Sequence, residues 1–133
     1  MKIAINTCYG VFSLSGEAIC KIGERKGHKV FPYYYDWENK CCAKVDNPND
    51  ADYFVTKDFG REVSAEEDAF YDAILPSFTR TDPDLIAVIE EMGEAANGDH
   101  SILKVIEIPD DVEWQIGEYD GVEWIEEKHR RWS

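Results

Sequence analysis

Asp82-Pro83-Asp84-Leu85-Ile86-Ala87-Val88-Ile89-Glu90-Glu91-Met92 is the stretch whose reading decides the fold. Asp82 is a good N-cap residue, and Pro83 suits the first helical position because its missing N–H is not needed there. Leu85, Val88, Ile89 and Met92 line one helical face, and Asn97-Gly98 is expected to close the helix. Toward the C-terminus, Ile102 to Ile108 has the composition of a buried strand that Pro109 ends. Val112, Trp114 and Ile116 then alternate with Glu113, Gln115 and Gly117, the period of a half-buried strand. Asp120-Gly121 is a strong turn, and Val122 to Trp132 reads as a last short helix or another strand.

In the other direction, Ser64-Ala65-Glu66-Glu67-Asp68 has cap chemistry for a short helix carrying Phe70, Ile74 and Leu75 and ending at Pro76. Ala51 to Lys57 is a short strand, and Trp37 to Asp50 is polar and turn-rich, broken most clearly at Asn47-Pro48-Asn49-Asp50. His28 to Tyr35 is strand-like, with Pro32 predicting an edge position or a bulge. Lys2 to Asn6 is a first strand, followed by a loop hinged on Gly10. Next comes a helix capped by Ser13 or Ser15, with Leu14, Ala18, Ile19 and Ile22 inward and Gly27 as its stop. This mixed order predicts an α+β class rather than a regularly alternating parallel fold. The expectation is one domain over residues 1–133, with a mixed, mainly antiparallel sheet packed with two or three helices.

Composition narrows the function. The 133 residues carry a net charge of −14, with 44% hydrophobic and 13% aromatic residues. That is ample for a packed core, and no stretch approaches the length of a bilayer span. The acidic field disfavours duplex nucleic acid and anionic membrane, and favours a basic protein surface or a small ligand held by a local site. The N-terminal segment lacks a signal peptide's features, so a cytoplasmic location is expected, with Cys8, Cys20, Cys41 and Cys42 as reduced thiols. No metal motif, Walker lysine or dinucleotide fingerprint is present, and neither a cofactor nor a metal is expected.

A few groups invite chemistry. The loop Asn6 to Ser13 joins a strand to a helix start, where backbone N–H groups suit an anion and Cys8 is a conceivable nucleophile. An ordinary strand-to-helix connection is the plainer account of the loop. From Glu107 to Glu127 there are nine acidic residues and no basic one, which predicts a solvated acidic face. The cationic and aromatic residues cluster at Ser77-Phe78-Thr79-Arg80-Thr81 and at Lys128-His129-Arg130-Arg131-Trp132. Helical pairing of Arg130 and Arg131 with Glu126 and Glu127 is the plain account of the second cluster. The functional alternative is a phosphate grip with Phe78, Tyr9, Trp124 or Trp132 stacking on a base.

Three stretches resemble a known family: Ile3-Ala4-Ile5-Asn6-Thr7-Cys8-Tyr9-Gly10, Arg80-Thr81-Asp82-Pro83-Asp84-Leu85, and Val105-Ile106-Glu107-Ile108-Pro109 through Glu118-Tyr119-Asp120-Gly121 to His129-Arg130. They are similar to the phage and prophage Thoeris anti-defence sponge family of the first-described type, whereas Asp36 to Ala73 matches nothing familiar. The resemblance implies a non-enzymatic homo-oligomer that sequesters a cyclic nucleotide immune signal, a cyclic ADP-ribose isomer or a cyclic oligonucleotide. The ligand-binding residues expected on that basis are Tyr9, Phe78, Arg80, Thr81, Arg130, Arg131 and Trp132. The alternative is an acidic phage protein that binds and inhibits a basic host factor. A small enzyme using Cys8 or converging carboxylates ranks last.

Overall fold

Asp82 opens its helix as the sequence predicts: its carboxylate accepts from the N–H groups of Asp84 and Leu85 at 2.9 and 3.4 Å. The computed structural model describes residues 1–64 and 66–128. Among them the class is α+β, with three α-helices and seven strands in three antiparallel sheets rather than one. In chain order the elements are β1 (Lys2–Asn6), α1 (Gly16–Arg25), β2 (Phe31–Asp36), β3 (Cys41–Lys44) and β4 (Tyr53–Val55). They continue as α2 (Asp68–Ala73), α3 (Pro83–Met92), β5 (Leu103–Glu107), β6 (Trp114–Tyr119) and β7 (Val122–Glu127). Two compact units result: Met1–Leu14 with Thr79–Ser133, and Ser15–Phe78 between them in sequence. Among the described residues no helix is long and apolar enough to cross a membrane.

The first unit is built on β1, whose Ile3, Ala4, Ile5 and Asn6 are all buried. One edge of β1 pairs with β5, from Lys2 opposite Glu107 to Asn6 opposite Leu103. On α3, Leu85, Ile86, Val88 and Ile89 are buried, and the helix packs on β1 and β5. It stops at Gly93, not at Asn97-Gly98. Gly93 has φ +59°, which a side chain would strain, and a 3₁₀ turn over Gly93–Ala96 follows. Strands β6 and β7 form a hairpin whose two-residue turn, Asp120 (φ +48°) and Gly121 (φ +87°), has the left-handed geometry that matches strand twist. Val122–Glu127 is therefore a strand and not a helix.

The second unit starts with α1, capped by the Ser15 hydroxyl accepting from Ala18 N–H at 3.2 Å. Its sheet has the order β3-β2-β4. Pro32 thus lies on the central strand, contrary to the edge position expected from it. The Pro32 carbonyl accepts from Val45 N–H at 3.0 Å, just past the end of β3. The missing proline N–H falls where that ladder stops. β3 itself emerges from the segment expected to be only turn. Helix α2 ends at Ala73, before Pro76, because Ile74 and Leu75 become extended and bond β4, with Leu75 N–H donating to the Phe54 carbonyl. Tyr33, Cys42, Val55, Val63 and Phe70 make the core. Phe70 meets Tyr33 and Tyr53 edge-on at 5.7 and 5.4 Å.

Candidate functional site

Arg80, one of the arginines expected to grip a phosphate, is engaged within the first unit. Its two terminal nitrogens donate to Glu123 at 2.6 and 2.9 Å, and one also reaches the Ala4 carbonyl at 3.2 Å. The guanidinium carbon lies 3.6 Å from the centre of the Phe12 ring. Glu123 is only 10% exposed and also accepts from the Asn6 N–H at 2.8 Å. Burial pushes its carboxyl pKa up. The hydrogen bond from Arg80, the Asn6 N–H and the Arg80 charge together outweigh that and hold it below the usual glutamate value. The fork that would grip a phosphate therefore grips a carboxylate.

Asn6 completes this cluster and was not singled out by sequence reasoning. Its fully buried amide donates to the carbonyls of Cys8 (2.9 Å) and Gly121 (2.8 Å) and accepts from Ile102 N–H (2.9 Å). The loop after β1 is thus tied to β5 and to the hairpin tip. Gly10 N–H donates to the Asp120 carbonyl, and a side chain on Gly121 would collide with the Gly10 backbone. The Cys8 thiol faces the Asn6 amide oxygen (3.4 Å) and the His100 backbone carbonyl (3.6 Å). A buried polar hub accounts for this loop without an anion.

The other expected ligand residues are placed separately. Tyr9 is 75% exposed in the first unit. Phe78 belongs to the second unit, where the Lys26 ammonium sits 5.8 Å from its ring centre. Thr81 lines a shallow depression with Lys2 and Glu90, which pair at 3.1 Å. Arg130, Arg131 and Trp132 lie outside the described residues.

The second unit holds a cation pair that sequence separation conceals. Lys44 and Arg61 line one depression of about 320 Å³ with Tyr33 and Gly60. Each has its own acid: Lys44 pairs with Asp58 and Arg61 with Glu67, both at 2.8 Å. No group of three or more histidine, cysteine, aspartate or glutamate side chains is arranged to hold a metal among the described residues.

The acidic run behaves differently. Glu107, Asp111, Glu113, Glu118, Asp120 and Glu127 are exposed and make no ion pair among the described residues. The hairpin also carries exposed aromatic side chains. Trp124 lies across Gly117, where an added side chain would collide with the indole, and its N–H donates to Glu126 at 2.9 Å. Tyr119 is 67% exposed beside it. No protein-family model, curated protein or solved structure matches the chain.

Proposed function

We propose that this chain is a non-enzymatic binding protein that presents its acidic C-terminal hairpin to a cationic surface of another protein. One observation carries this. Six carboxylates, five of them between Asp111 and Glu127, are exposed without ion-pair partners among the described residues, while Arg80 is neutralised internally by Glu123. The net charge of −14 would steer a basic partner toward the molecule. The test is capture of a basic protein by the immobilised chain, followed by calorimetry with that protein purified, over a salt series. Affinity should fall steeply between low salt and about 0.15 M, where the screening length is about 8 Å. Salt-independent binding, or none to any basic protein, refutes the proposal.

A second reading, sequestration of a cyclic nucleotide signal, rests on the family resemblance and gains one observation: Lys44, Arg61 and Tyr33 line the same depression. Incubation with a cyclic ADP-ribose isomer, removal of unbound ligand and heat release should then return intact ligand. No depletion would remove this reading, and return of a degraded product would replace it with an enzyme.

A further inference from the structure

The outer edge of β6 is an open template. Bonded and non-bonded pairs alternate along an antiparallel ladder. Lys128 N–H donates to the Glu113 carbonyl at 2.9 Å, and the register runs from Trp114 opposite Glu127 to Tyr119 opposite Val122. Residues 113, 115, 117 and 119 therefore bond to β7, and the backbone groups of Trp114, Ile116 and Glu118 turn the other way. The sheet contains only these two strands among the described residues, and those outward groups meet no partner there.

We infer that this edge takes up an extended, arginine- or lysine-bearing segment of a partner protein as a third strand. The inference rests on the binding function proposed above and names its surface. Three features select the occupant. The outward backbone groups offer donors and acceptors at strand spacing. Acids flank the edge on both faces: Glu118 shares a face with Trp114 and Ile116, and Glu113 shares the other with Gln115, Tyr119 and Trp124. On that second face Trp124 lies over Gly117 and Tyr119 is exposed, so two rings stand beside the path of an incoming cation. A second copy of the same edge is disfavoured, because two chains that each carry a net charge of −14 repel one another.

The probe is a labelled peptide of alternating arginine and valine, followed by fluorescence anisotropy against the full chain. Two further peptides carry N-methyl groups on every second residue, one in each phase, and keep the charge. One phase should lose about tenfold or more in affinity and the other should keep it, since a strand uses alternate N–H groups toward one neighbour. The unmethylated peptide should shift the amide resonances of Trp114, Ile116 and Glu118, and the Glu113→Gln/Glu118→Gln variant should bind it several-fold more weakly. Equal binding of both methylated phases, or resonance shifts confined to other elements, overturns strand addition while leaving an acidic binding protein. No binding of the arginine peptide, with a basic protein still captured, overturns the edge alone. Failure of both overturns the edge and the function together.

Discussion

Arg80→Ala should destabilise the first unit more than deletion of any exposed charge among the described residues. Removing one partner of a buried ion pair costs about 3–5 kcal/mol, because the other charge is stranded. Arg80 is 27% exposed and Glu123 10%, and Glu123 would keep its bond from Asn6 N–H, so about 3 kcal/mol is appropriate here. Loss of the guanidinium from the Phe12 ring adds about 0.5–1 kcal/mol. Arg80→Ala with Glu123→Ala should cost less than the two single changes together, with a coupling of about 2–3 kcal/mol. The pH dependence has a definite sign. Burial raises the Glu123 pKa, but Arg80 and Asn6 N–H pull it below the usual value. A depressed carboxyl pKa contributes stability that is present above the unfolded value of about 4.3 and is lost as pH falls through the folded one. The penalty of Arg80→Ala should therefore shrink below about pH 4. Urea unfolding followed by tryptophan emission and far-UV circular dichroism over a pH series measures all three quantities. A penalty under about 1 kcal/mol, additivity with Glu123→Ala, or an effect independent of pH would refute the buried-pair account.

Other outcomes follow from single positions. Gly117→Ala should dislodge the Trp124 indole, shift its emission to longer wavelength and weaken binding of a cationic peptide, as titration would record. Gly93→Ala should cost about 1–3 kcal/mol in thermal or urea unfolding, since nothing crowds the site and only the φ of +59° is at stake. Cys20, whose pKa is pushed up to about 11 by burial and by Glu24 and Glu17, should react with iodoacetamide at pH 8 about a hundredfold more slowly than an unperturbed thiol in peptide mapping.

Much of the architecture is legible in local chemistry. The Asp82-Pro83 start, the Ser15 cap and the Asp120-Gly121 turn each depend on neighbours in sequence, and each appears in the fold. What escapes local reading depends on distant partners. β3 carries Cys41 and Cys42 in a polar context, and it is a strand because β2 pairs with it. Pro32 reads as an edge residue, yet it sits on a central strand because the neighbouring ladder ends beside it. The candidate site shows the same limit. Arg80 is conspicuous in sequence as a cation near an aromatic, but its acid is Glu123, 43 residues away. Lys44 and Arg61 are separated by other elements and share no motif, so only the folded second unit brings them to one depression. Asn6 is inconspicuous because its side-chain partners are Cys8 in its own loop, Ile102 just before β5 and Gly121 at the hairpin tip.

The order of the two units along the chain bears on how the molecule is made. β1 leaves the ribosome before the other described elements, but its amide anchor Asn6 waits for a carbonyl 115 residues downstream. Closing a loop of that length opposes folding by roughly 4 kcal/mol. The aromatic core of Ser15–Phe78 needs nothing beyond its own span, so it can condense during translation while the opening strand stays unpaired. Until β5 is synthesised, Ile3, Ala4 and Ile5 form a bare apolar ribbon, and nascent copies are most prone to stick to one another during that interval.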